Sequence, residues 1–128
     1  MKSLNPADIA APFGRYSHGA EVRGFERMVQ TSGQLGLAAD GTIPDSVNAQ
    51  AEICFENIDA ILTEGKMARA DIFHVTAFVT DRAYMADYMA ARDVYFADIQ
   101  VLPASTLLIV SGFTRAEFKV EIQVAAAR

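Results

Sequence analysis

Two stretches near the C-terminus decide how the chain is read: Pro103-Ala104-Ser105-Thr106-Leu107-Leu108-Ile109-Val110, and then Val120-Glu121-Ile122-Gln123-Val124. In the second, Val120, Ile122 and Val124 alternate with Lys119, Glu121 and Gln123. This is the period-two pattern of a strand with one apolar and one polar face, and it points Glu121 away from the main core. Nothing within the run says whether the polar face meets water or another subunit. Alone, a carboxylate on such a face is no evidence of function.

Upstream, Ile72 to Thr80 is rich in β-branched and aromatic residues and reads as a central strand with Phe73, Val75, Ala77 and Val79 on one face. His74 falls on the other face with Thr76, Phe78 and Thr80. Asp81 then reads as the N-cap of a helix that carries Met85, Tyr88, Met89, Arg92, Tyr95 and Phe96 along one side. Arg92 is the odd member of that apolar stripe. An earlier helix, capped by Asp45 or Ser46, repeats Val47, Ala51, Cys54, Phe55, Ile58, Ile61 and Leu62 at three- and four-residue steps and stops at Gly65. Ala20 to Arg23 and Arg27 to Leu35 read as an opening hairpin that turns at Gly24. The resulting order is ββαβαββ, an α+β arrangement of two helices packed on one face of a mixed sheet, in a single domain over residues 1–128.

Composition excludes several classes. With 52% hydrophobic and 21% charged residues, the 128-residue chain can fill one core. A net charge of −5, with the basic residues scattered, disfavours nucleic acid as a partner, since that affinity comes largely from Lys and Arg displacing counterions. No apolar run resembles a signal peptide or is long enough to span a bilayer, so the expected location is the cytoplasm. Cys54 is the lone cysteine and lies on the apolar face of the first helix, where a small core residue belongs. His18, His74 and Cys54 have no ligand spacing, so no metal is expected. Gly33-Gln34-Leu35-Gly36 is not a phosphate loop, and Ser17, Ser32, Ser105 and Ser111 lack a nucleophile-elbow pattern.

Gly14-Arg15-Tyr16-Ser17-His18, Val29-Gln30-Thr31-Ser32-Gly33-Gln34-Leu35, the helix start Asn48-Ala49-Gln50-Ala51, Asn57, Pro103-Ala104-Ser105-Thr106 and Val120-Glu121-Ile122 follow one another in this chain. In order and separation they resemble the Rid family (YjgF/YER057c/UK114, formerly endoribonuclease L-PSP), whose archetype is the reactive intermediate imine deaminase. The resemblance runs from Asn5 to Arg128. It implies a chorismate-mutase-like fold and a compact homotrimer with three clefts between subunits. It also implies that Tyr16 stands at the rim of the cleft and that Ser32 and Gly33 form a wall. By the same resemblance Leu107 takes the place of a frequent cysteine, and Glu121 is the carboxylate that orders an attacking water. Tyr16 as a packed aromatic and Ser32-Gly33 as a simple turn remain open alternatives.

The chain departs from the family at Ser105, where deaminating members carry an Arg that clamps the carboxylate of an imino acid. A hydroxyl in place of that planar fork forfeits charge-assisted hydrogen bonds of about 1.5–3 kcal/mol. Backbone N–H groups from Ser105 through Thr106 to Leu107 are left to hold a substrate's polar end, and Arg15 or Arg92 are the candidate replacement cations. Hydrolysis of an imine asks little of a protein, because the C=N carbon is already electrophilic and needs chiefly a positioned water and a proton route. The expected function is therefore small-metabolite binding with cofactor-free imine or enamine hydrolysis, on a substrate unlike 2-aminoacrylate. Its rivals are a non-catalytic metabolite-binding or regulatory trimer and a protein-interaction or chaperone-like role.

Overall fold

The computed structural model describes residues 1–128. In chain order the strands are β1 (Lys2–Leu4), β2 (Gly19–Glu21), β3 (Met28–Gln30), β4 (Gln34–Leu35), β5 (Ile72–Val79), β6 (Ala104–Ile109) and β7 (Val120–Ala127), and the helices are α1 (Val47–Glu64) and α2 (Met85–Tyr95). β5 is central, with β6 parallel to it on one side and β7 antiparallel on the other, and both β3 and β4 pair with β7. The two C-terminal runs are thus both strands, separated by β5.

The opening hairpin does not form. Gly24 does turn the chain, at φ +62°, but β2 pairs antiparallel with β1, while β3 pairs with the far end of β7, Met28 opposite Ala127. The eight-residue β7 offers a ladder long enough for β3 and β4 together, and its apolar pairing outweighs a local turn.

Ser46 caps α1, its hydroxyl accepting from the Ala49 N–H at 3.0 Å. The stripe Val47, Ala51, Cys54, Phe55, Ile58 and Leu62 is buried, with Ile61 at its margin. Gln50 is buried among them and fully engaged: Nε2 donates to the carbonyls of Pro44 and Glu117 at 2.8 Å each, and Oε1 accepts from the Lys119 N–H at 2.9 Å. At the end of α1 the left-handed residue is Lys66 (φ 54°), not Gly65. Gly65 instead sits close under β3, where a Cβ would lie 3.0 Å from Val29.

Ile72, Val75, Ala77 and Val79 face the helices and are buried; Phe73 does not share their face, because a register shift between Ile72 and His74 breaks the alternation there. Asp81 caps a short 3₁₀ turn, Arg82–Tyr84, that leads into α2. Ile58 and Leu62 of α1, Tyr88 and Phe96 from α2 and its end, and Val75, Ile122 and Val124 of the sheet make one core, so both helices lie on the same face. The opposite face carries no helix. Its rows are Gln123–Thr76–Thr106 and Glu121–Phe78–Leu108, and Leu108 is 46% exposed.

Candidate functional site

The pairing of β6 with β5 fixes where each candidate points. Ser105 is opposite Val75 and Leu107 opposite Ala77, so both side chains take the helix side of the sheet. There, with Tyr16, Met85, Met89 and Arg92, they line a pocket of about 440 Å³ whose mouth carries Phe13, a side chain 97% exposed. Glu121 is opposite Phe78 and takes the other side. Within one chain the sheet itself therefore separates Glu121 from Ser105.

In the pocket, Arg92 is only 3% exposed. Its Nε and Nη2 donate to a single oxygen, Asp93 Oδ1, at 3.1 and 2.9 Å, and Nη1 makes no hydrogen bond within the chain. The guanidinium carbon stands 5.4 Å from the centre of the Tyr16 ring and 6.0 Å from that of Tyr88, within the range of cation–π attraction. Gly14 crosses directly above it: a Cβ there would lie 2.8 Å from Arg92 Nη2. Behind Ser105, the Tyr88 hydroxyl is buried with no hydrogen-bond partner. Burial pushes its ionisation above the usual tyrosine range, while the Arg92 charge and the nearby Ser105 hydroxyl pull the other way. Ser105 is thus close to Tyr88 without a bond of good geometry.

Arg15, the other candidate cation, is occupied elsewhere. Its Nη2 donates to the carbonyls of Phe96, Ala97 and Ile99 at 3.1, 3.2 and 3.3 Å, at the C-terminal end of α2 where a positive charge meets the helix dipole. With the Ser17 N–H donating to the Pro103 carbonyl at 2.9 Å, it pins the segment that carries Tyr16.

On the other face, Glu121 makes no hydrogen bond or ion pair within the chain and is half-buried. Gly33 is packed against its carboxylate: a Cβ at 33 would lie 2.0 Å from Oε1 and 2.5 Å from Cδ. The turn that holds Gly33 is anchored by Thr31, whose N–H donates to the Val124 carbonyl and whose hydroxyl accepts from the Val124 N–H, both at 3.0 Å. Ser32, next in the turn, is exposed, and its carbonyl accepts from Gln34 Nε2 at 3.2 Å. Thr106 also points to this face, in the row of Thr76 and Gln123. The structure thus groups Tyr16, Ser105, Leu107 and Arg92 on one side, and Ser32, Gly33, Thr106 and Glu121 on the other.

Phe13, Met85 and Met89 complete the pocket; in the sequence the two methionines stand out only as members of the α2 stripe, and Phe13 does not stand out at all. The signal that pointed there was Arg92 in an apolar stripe. Cys54 donates to the Gln34 carbonyl at 3.1 Å, and burial pushes its thiol up to about 12. His18 Nε2 pairs with the Ala10 carbonyl at 2.7 Å, and no three His, Cys, Asp or Glu side chains gather as a metal site. No helix is long and apolar enough to cross a membrane.

Comparison with known proteins agrees with this architecture. The family described as Endoribonuclease L-PSP matches residues 7–128, and the chain belongs to this family, the Rid/YjgF family. It is 32% identical over 124 residues to a RutC family protein of Aquifex aeolicus, covering 95% of this chain and 97% of that one. It is 29% identical over 129 residues to a 2-iminobutanoate/2-iminopropanoate deaminase of Salmonella typhimurium, covering 99% and 98%. The crystal structure of Escherichia coli TdcF with bound serine superimposes with a TM-score of 0.74 at 28% identity, covering 100% and 99% of the two chains.

Proposed function

We propose that this protein binds a small metabolite and hydrolyses an imine or enamine without a cofactor, as a homotrimer whose clefts join two halves from neighbouring subunits. The observation that carries this reading is the Glu121 carboxylate, free of any partner in the chain and given its room by the absent side chain of Gly33. A carboxylate so placed is able to order a water. As that water's oxygen bonds to the C=N carbon, Glu121 takes its proton, and the C=N π electrons go to nitrogen. Glu121 then returns that proton to nitrogen to give a carbinolamine, takes the remaining hydroxyl proton and passes it to the amine nitrogen as the C–N bond breaks and the C=O double bond forms, and ammonia leaves. An enamine enters the same sequence after protonation at carbon.

The separation of the two groups of residues across the sheet supports the trimer. One chain alone leaves Glu121 unable to reach a ligand beside Ser105. A cyclic trimer, whose interfaces join two different surfaces, brings the helix-side pocket of one subunit to the open sheet face of the next and repeats the cleft at each interface. Leu108 and Ile109 on the free edge strand β6 are 46% and 45% exposed, as befits strands that pack against another copy. The deaminase among the relatives and the serine bound by TdcF support small-molecule chemistry here. A second reading, a metabolite-binding regulatory trimer, is favoured by Ser105 in place of the family's clamping Arg.

The test is ammonia release from imines generated in situ from a panel of amino acids, with and without the protein. Acceleration of any imine by more than about tenfold that falls by about 10²–10⁴ in Glu121→Gln supports the hydrolase. Uniform inactivity in a folded trimer would leave the regulatory reading.

A further inference from the structure

Of the polar side chains that line the helix-side pocket, all but one are engaged within the chain. The Tyr16 hydroxyl accepts from the Phe13 N–H at 3.3 Å. Arg92 turns Nε and Nη2 onto Asp93 Oδ1 and lies over the rings of Tyr16 and Tyr88. The Gly14 backbone closes over it, so near that a Cβ there would meet Nη2 at 2.8 Å. The Arg92 side chain is 4% exposed against 42% for that of Asp93. The pair is therefore a closed, neutral unit that holds Tyr16 and the Gly14 turn, not a cation offered to the cavity. What remains is the single hydroxyl of Ser105, among the apolar side chains of Phe13, Met85, Met89 and Leu107. Phe13, almost wholly exposed at the mouth, adds nothing to the core.

We infer that the cleft prefers carboxylate-free imines with an apolar body, the kind formed when a primary amine is oxidised, and that Asp93 and Phe13 set this choice. Arg92 and Asp93 cancel, which leaves the Glu121 carboxylate of the neighbouring subunit as the net charge of the cleft. A substrate carboxylate would give up its water, meet no uncompensated cation and face a like charge. An imine without that group loses little on entry, and its protonated form, the better electrophile, is drawn to Glu121. Its hydrocarbon body buries against Leu107 and the two methionines, which adapt to its shape, and Phe13 covers it at the mouth. The reaction is R–CH=NH plus water giving R–CHO and ammonia, so the product is an aldehyde where an imino acid would yield a 2-oxo acid. The step that supplies the substrate is oxidation of R–CH2–NH2, in which two electrons and two protons pass to dioxygen or to the flavin of an amine oxidase or dehydrogenase. The step that follows must oxidise or reduce an aldehyde.

This inference rests on the reading above for the place of Glu121 in the cleft, and its test has a rate arm and a binding arm so that the two fail separately. Phenethylamine with an amine oxidase and phenylalanine with an amino acid oxidase give imines that differ only in the carboxylate. Ammonia release in the presence of the intact protein should show kcat/KM about tenfold or more higher for the first. In calorimetric titration, phenylacetamide should bind about tenfold or more tightly than phenylacetate, which has the same body with a negative charge. Asp93→Asn uncovers the charge of Arg92 and should tighten phenylacetate about tenfold while phenylacetamide changes little. Phe13→Ala, at a position that adds nothing to the core, should raise KM for the phenethylamine-derived imine several-fold more than for the imine of ethylamine, which has no body to cover. Phenylacetate bound as tightly as phenylacetamide, or the imino acid turned over as fast as its carboxylate-free twin, would overturn the inference, and both are read on the unmodified protein. So would failure of either compound to bind. Unchanged phenylacetate affinity in Asp93→Asn, or equal KM changes for the two imines in Phe13→Ala, would remove the role given to that residue. Preference for phenylacetamide without hydrolysis of any imine would reject the hydrolase and leave the selectivity of the pocket standing.

Discussion

Replacing Gly33 with alanine should damage chemistry and spare the fold. A Cβ at 33 would lie 2.0 Å from Glu121 Oε1, 2.5 Å from Cδ and 2.8 Å from Cγ, all far inside van der Waals contact. What it meets is the end of a flexible, half-exposed side chain, so the carboxylate swings away at little cost to packing. Gly33 is not among the residues with positive φ, so alanine fits its backbone, and the loss of chain freedom in the unfolded state is worth about 0.4–1 kcal/mol of added stability. Displacing a general base removes most of its contribution, about 10²–10⁴ in rate. The assay pairs ammonia release on the best imine with the unfolding midpoint in urea for Gly33→Ala, Glu121→Gln and the double variant. The double variant should be no slower than Glu121→Gln alone, because both changes act on one group. Full activity in a folded Gly33→Ala protein would refute the role given to Glu121, as would rate losses in the two single variants that simply multiply.

Gly36→Ala should do the opposite: its Cβ would lie 2.5 Å from Gln50 Cβ and 2.8 Å from the Cα of the same helical residue, so backbone must move. A loss of about 1–3 kcal/mol or more in urea denaturation is expected, from overpacking and from disturbing the bonds of Gln50. Stability should also fall in alkali. Burial raises the Cys54 thiol from 9.0 to about 12, so between those values the folded chain keeps a proton that the unfolded chain has lost. Stability is then full below pH 9 and declines by up to about 1.4 kcal/mol per pH unit above it. Cys54→Ala should flatten the part of that slope that lies below the ordinary tyrosine range.

Legibility in the sequence followed how local each determinant was. The stripe of α1 and the caps Ser46 and Asp81 depend on residues two to four apart, and local pattern finds them. The hairpin reading failed because the partner of β3 lies at the other end of the chain, and Phe73 was misplaced by a bulge that no pattern announces. Within the candidate site, alternation places Ser105 and Leu107 together, and Glu121 away from Ile122. Which side of the sheet each pair takes is set by register against β5, Val75 to Ser105 and Phe78 to Glu121, and that pairing is non-local. Arg92 stood out as a charge in an apolar stripe, but its free Nη1 and its unpaired neighbour Tyr88 are products of packing alone.

A cleft shared between subunits makes a prediction that a site within one chain does not. Glu121→Gln disables the sheet-face half, and Leu107→Trp fills the helix-side half. Each variant alone should be inactive on the best imine. Co-expressed and assembled at random, the two should recover about a quarter of the parent rate, because each cleft draws one half from each of two neighbouring subunits and that fraction of clefts receives two intact halves. Mixed trimers that stay as inactive as either variant, with both chains shown to be present by mass, would contradict the shared cleft.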